Sequence, residues 1–174
     1  MAVDSLLSVP ASWDRRGVTL RPAGPGDAAF LRDVYVAGRW NEVAVTGWPE
    51  ETVLAFLHDQ YRLQTAHYAT HYAEADRLVV EQDGVPAGKL ILFDMQSETR
   101  VVDIGLLPAF RGRGIGALLL GWVQDAARTR GAKVSLHVEP HNPAKRLYRR
   151  LGFDVVASRG VYELLEWTAP PGDC

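Results

Sequence analysis

The stretch Asp103-Ile104-Gly105-Leu106-Leu107-Pro108-Ala109-Phe110-Arg111-Gly112-Arg113-Gly114-Ile115-Gly116-Ala117 decides the fold. An apolar strand runs into a short loop, and glycines then open a helix. Ile115, Leu118, Leu119, Trp122, Val123 and Ala126 recur along that helix at the spacing of one buried face. Amides in a first helical turn lack internal partners and sit at the positive end of the helix dipole, which suits a phosphate. Gly112, Gly114 and Gly116 keep side chains away from such an anion, and Arg111 and Arg113 add charge. The plainer alternative is a tight strand-to-helix turn. A Rossmann dinucleotide site is disfavoured, because the third glycine falls one position early and the motif lies past mid-chain. A P-loop is excluded by the absence of Gly-Lys-Ser/Thr.

Working outward, the pattern predicts a short strand at Val18–Arg21 and a helix capped by Asp27 with Phe30, Leu31, Val34 and Tyr35 on one side. A long helix follows over about 50–71. Arg77–Gln82, the turn Asp83-Gly84 and Val85–Asp94 read as a hairpin, and Thr99–Leu107 as a further strand. After the loop helix come a strand at Lys133–Val138, a helix capped by Asn142 and ended by Gly152, and a last strand pair around Gly160. Residues 1–17 read as a flexible leader, 18–167 as a single domain and 168–174 as a frayed tail. The order implies an α+β fold around a mostly antiparallel sheet, with one parallel pair where a helix crosses between the strands at 99–107 and 133–138.

The chain has 174 residues and a formal net charge of −2. One cysteine, Cys174, excludes an internal disulfide framework and any multi-cysteine metal site. No segment reads as a secretory signal or a membrane span, so a cytoplasmic protein is expected. The net charge hides a partition. Residues 1–107 carry 9 basic and 15 acidic side chains, 108–150 carry 9 and 2, and 151–174 carry 1 and 4. A basic island in an acidic chain points to one anionic ligand held locally, not to nucleic acid.

Arg111-x-x-Gly114-x-Gly116 after Leu106-Leu107-Pro108 resembles the acyl-coenzyme A loop of the GNAT superfamily of N-acetyltransferases. About 30 residues on, the run from Asn142 to Phe153 resembles that superfamily's second signature. The resemblance implies a centrally splayed sheet flanked by helices, with acetyl-coenzyme A entering between the strands at 99–107 and 133–138. It implies that Ile104, Gly105 and Leu106 pair with the pantetheine arm, that amides from Gly112, Arg113, Gly114, Ile115, Gly116 and Ala117 hold the pyrophosphate, and that Asn142 touches the arm. Arg111 fits a position often held by glutamine or arginine.

Acetyl transfer to an amine needs a neutral amine, a polarised carbonyl and a proton for the departing thiolate. An amide near Leu106 suits the second. Tyr148 matches the family's acid, although Ala144, Leu147, Tyr148 and Leu151 also share a helical face and the ring could be plain core. His137 lies opposite the apolar face of Val134, Leu136 and Val138, where some members carry a base, and an unperturbed pKa near 6.5 suits that role. Asp103 and Glu139 are weaker candidates, and a water relay is a further option. His58, His67 and His71 lack a third-ligand pattern, so no metal is expected. Lys145, Arg146, Arg149 and Arg150 divide between a solvated face and coenzyme phosphates. In the family the first two helices line the acceptor pocket, which here brings Trp40, Trp48, Tyr61, His67 and Tyr68. The acidic balance of 1–107 suits a cationic amine. The reading is an acetyl-coenzyme A-dependent N-acetyltransferase, monomer or homodimer, acting on a small-molecule or protein amine. A catalytically silent acyl-coenzyme A sensor is the alternative.

Overall fold

The computed structural model describes residues 9–171. Its elements are β1 (Val18–Pro22), α1 (Ala28–Ala44), α2 (Glu50–His71), β2 (Asp76–Gln82), β3 (Val85–Met95), β4 (Glu98–Leu106), α3 (Ile115–Thr129), β5 (Lys133–Val138), α4 (Lys145–Arg150), β6 (Asp154–Arg159) and β7 (Tyr162–Trp167). Short 3-10 segments cover Ala11–Arg16, Pro25–Asp27 and Pro108–Phe110. The strands form one sheet in the order β1-β2-β3-β4-β5-β7-β6, antiparallel everywhere except between β4 and β5. This is the mixed, mostly antiparallel α+β sheet that the order of elements predicts.

Strand alternation divides the helices between the two faces. Ile104 and Leu106 of β4 pack into the main core with Ile115, Leu119 and Val123 of α3. Gly105 between them faces the other way, where an added Cβ would lie 3.2 Å from Val34 of α1. Leu119 and Leu120 are fully buried, each contributing about 2 kcal/mol of apolar transfer energy. A smaller cluster of Val43, Val53 and Leu57, with Trp40 against it, joins α1 to α2.

The centre of the sheet comes apart by design of its register. Parallel pairing of β4 and β5 covers only Glu98–Val101 against Lys133–Leu136. In the β3–β4 ladder Ile91 pairs Asp103 and Leu92 pairs Val101, leaving Val102 as an extra residue. Such a bulge bends its strand and sharpens the local twist. Beyond it, β4 stays with β3 through Leu106 and β5 stays with β7 through Val138, so the two strands diverge as a wedge. The closed end is tied by polar side chains on one face. Arg100 meets Glu98 at 2.8 Å and Ser135 at 3.1 Å, and Lys133 reaches Glu166 at 2.6 Å.

Several expectations change. The segment from Ala11 to Gly17 is folded rather than a flexible leader, because Trp13 is 2% exposed and meets Trp122 of α3 edge-on at 5.8 Å. Asp27 does not cap α1. Its carboxylate is held at about 2 by the Arg21 guanidinium and accepts the Gly24 amide at 2.8 Å. Ala169, expected to fray, packs against the core. Residues 1–8 and 172–174, including Cys174, lie outside the described residues. Among the described residues no helix is long and apolar enough to cross a membrane.

Candidate active site

The loop after β4 is shaped by backbone geometry before charge enters. Gly114 stands just before α3 with φ of 78°, a conformation costly for any residue with a Cβ. The first bond onto the helix runs from the Leu118 amide to the Gly114 carbonyl at 3.0 Å, so the amides from Gly112 to Ala117 precede the ladder. Gly116 has a different task from the one its motif position suggests: a Cβ there would meet the Leu147 side chain of the α4 layer at 3.2 Å. It lets the two helical segments approach.

The arginines near the loop are not all turned to a ligand. Arg111 folds back, its Nε donating to the Leu106 carbonyl at 3.0 Å, and so lashes the loop to β4. Arg113 lies over the Phe110 ring at 5.4 Å. Much of the basic island is likewise committed elsewhere. Lys145 is buried against Glu163, Arg130 is paired with Asp94, and Lys133 with Glu166 and Glu98. Arg146, Arg149 and Arg150 remain exposed.

A cavity of about 800 Å³ opens where β4 and β5 separate. Ile104, Gly105, Asn142, His137 and Tyr148 all line it, so β4, β5 and the start of the α4 region bring these expected residues together. The Leu107 amide donates to Ala87 of β3 at 2.8 Å. Alternation along the strand therefore turns the amide of Leu106 the other way, into the wedge. Asn142 accepts the Ala144 amide at 2.9 Å, which holds its side chain beside the cavity. Tyr148 is 7% exposed, edge-on to Phe153, and burial pushes its phenol up to about 12, with the charge of Asp103 adding to the effect. Burial holds His137 below the ordinary imidazole value, and the nearby Arg100 and Arg159 cations act in the same direction.

The acceptor wall differs from its expected form. His67 and Tyr68 line the cavity, and Tyr61 with Tyr68 lines a smaller apolar pocket of about 270 Å³ beside it. Trp40 instead packs between α1 and α2, and Trp48 is exposed against Phe56. The acidic half does not leave bare carboxylates in the cavity. Asp103 is paired with the buried Lys89 at 2.6 Å, and Arg39 meets Glu42 at 2.8 Å and Glu139 at 3.5 Å. Lys89 was invisible as a site residue from periodicity, although a lone lysine inside the apolar run of β3 was the available signal. Among the described residues no group of three or more His, Cys, Asp or Glu side chains is placed to hold a metal.

A family model described as acetyltransferase (GNAT) family matches residues 39–153, well over half the chain. The chain belongs to that family. Among curated relatives it is 42% identical over 69 residues to an uncharacterised N-acetyltransferase, YycN, of Bacillus subtilis (strain 168), a match covering 37% of this chain and 44% of the relative. It is 36% identical over 106 residues to the mycothiol acetyltransferase of Corynebacterium glutamicum (strain R), covering 59% of this chain and 36% of the relative. The chain thus spans less than half the length of these relatives. Its fold matches that of the PaiA N-acetyltransferase of Thermoplasma acidophilum in complex with coenzyme A, with a TM-score of 0.66, 18% identity, and coverage of 87% of this chain and 99% of the other.

Proposed function

We propose that this protein transfers an acetyl group from acetyl-coenzyme A to a primary amine. The observation that carries the reading is the wedge itself. Ile104 and Leu106 offer strand-edge polar groups inside it, the amide-rich loop at Gly112–Ala117 lies beyond its open end, and Tyr148 and His137 line the same cavity. The residues fit the donor in chemistry as well as position: unladdered amides for a pyrophosphate, a strand edge for an amide-bearing arm, and Asn142 beside it. When bound, the thioester supplies an activated acetyl group.

Each protein group then has a defined task. The Leu106 amide, directed into the wedge, stabilises negative charge developing on a carbonyl oxygen. His137, held neutral at physiological pH, accepts a proton from the acceptor ammonium. Tyr148 stays protonated and donates a hydrogen bond to the departing sulfur. An ordinary thiol, near 8.5, is a stronger acid than this phenol. Tyr148 therefore stabilises the thiolate by donating, and does not itself end as phenolate. Acceptors of either kind, metabolite amine or protein amine, fit a cavity whose charges are already paired.

Thiol release measured against a panel of primary amines tests the reading. Turnover on at least one amine is the expected result. Tight coenzyme binding with no turnover on any amine would instead support a silent acyl-coenzyme A sensor.

A further inference from the structure

The N-terminal segment ends on the phosphate loop. Arg16 donates through Nη2 to the carbonyl of Arg113 at 2.8 Å, a contact between residues 97 positions apart. The same Nη2 lies 3.0 Å from where a Cβ on Gly114 would stand. Arg16 therefore sits against the peptide that sets up the start of α3, although it lies outside the family-matched residues 39–153.

Its root is rigid. Trp13, three residues before, is buried against Trp122 of α3. The Arg16 carbonyl accepts the Gln82 amide group at 2.7 Å, and the Gly17 carbonyl accepts the Asp83 amide at 2.7 Å. Gly17 has φ of 63°, and a Cβ there would come within 1.9 Å of the Asp83 carboxylate, so the chain reverses at this point only as glycine. The guanidinium is solvent-exposed, its recorded side-chain partner is the Arg113 carbonyl, and no carboxylate stands within ion-pair distance among the described residues. A guanidinium presents five N–H donors in a fork, and one carbonyl leaves most of them open. The loop's own arginines are turned elsewhere, Arg111 to the Leu106 carbonyl and Arg113 over Phe110.

We propose that Arg16 is a coenzyme-binding residue supplied from outside the loop, steadying the Arg113–Gly114 peptide with one N–H and offering its charge to the donor's pyrophosphate. The proposal rests on the acetyl-coenzyme A reading above. Affinity for coenzyme A and for dephospho-coenzyme A, which keeps the pyrophosphate but lacks the 3′-phosphate, is measured by calorimetry for the wild type, Arg16→Ala and Arg16→Lys. Turnover is measured in parallel with acetyl-coenzyme A and with S-acetylpantetheine, which lacks both phosphate groups.

Arg16→Ala is expected to weaken both nucleotides by about tenfold, the scale of one charge-assisted hydrogen bond. At saturating acetyl-coenzyme A its kcat stays at the wild-type value. Its kcat/KM for S-acetylpantetheine changes less than twofold, and Arg16→Lys recovers part of the lost affinity. Equal losses on all donors would overturn the proposal, because a general loosening of the loop would then explain them. A loss for coenzyme A but not for dephospho-coenzyme A would overturn the pyrophosphate assignment, as would unchanged affinity. Failure of the wild type to bind coenzyme A would refute the parent reading instead.

Discussion

The donor side and the acceptor side of the cavity are built by different means. The donor side is mostly backbone: unladdered amides, a strand edge exposed by the wedge, and a glycine in a left-handed conformation. The acceptor side is mostly side chains, held as pairs such as Lys89 with Asp103 and Arg39 with Glu42. A backbone site tolerates changes in side chain and fails when its dihedrals or clearance are altered. A paired-charge site fails when one partner is removed, since the other is left desolvated and unmatched.

The comparison is broken most sharply at Gly114. Gly114→Leu forces a Cβ into a left-handed backbone and against Arg16, and coenzyme binding should fall at least a hundredfold by calorimetry while circular dichroism stays native. The matching test on the other side is Lys89→Met. It strands the Asp103 carboxylate in a mostly buried position and should cost about 3 kcal/mol in chemical denaturation. A further Asp103→Asn change should restore much of that loss.

Tyr148→Phe removes a donor that belongs to the chemical step alone. It should lower kcat about a hundredfold with the coenzyme dissociation constant little changed; equal kcat would remove Tyr148 from the mechanism. His137 gives a milder effect with a distinctive pH signature. Its folded-state pKa is depressed, so the imidazole loses its proton below pH 6.5 and is neutral above. In the wild type kcat/KM should rise as pH is raised through that region and then level off. His137→Gln should flatten this limb and lower the plateau about tenfold. Trp48→Ala should do least: the ring is exposed outside the cavity, and stability should shift by no more than about 0.5 kcal/mol with the acceptor KM unchanged.

The same contrast explains what could be read from residues alone. Backbone requirements leave spaced glycines and helical periodicity, so the loop, α3 and the parallel crossover were legible, and β5 appears with the predicted bounds. Tyr148 and His137 were placed because helix and strand periods fix which face they share. Charge pairing leaves no such trace. Nothing in the spacing of Lys89 and Asp103 says that they meet, since the contact depends on the register of β3 against β4. The acidic balance of residues 1–107 therefore overstated the negative charge of the acceptor side. Trp13 was missed for a related reason: six residues of 3-10 helix are too few to show a period, and a lone tryptophan before a strand does not announce its partner on α3. Asp27 was misassigned as a cap because Arg21, across a turn, offers its carboxylate a stronger partner than a helix amide.

The short seam between β4 and β5 also has a kinetic and thermodynamic meaning. Only four residue pairs join one half of the sheet to the other, and about 30 residues of chain must close before they can form. Such non-local pairing is slow to assemble, so the half from β1 to β4 and the half from β5 to β7 are expected to dock late in folding. A donor molecule seated in the wedge would span both halves and substitute for the ladder that the bulge leaves unmade. Its binding is then linked to the docking equilibrium, and the melting temperature should climb with donor concentration, by about 2.7 kcal/mol of added stability at a hundred times Kd. Occupancy would thus act as a clasp for the fold as well as the start of a reaction.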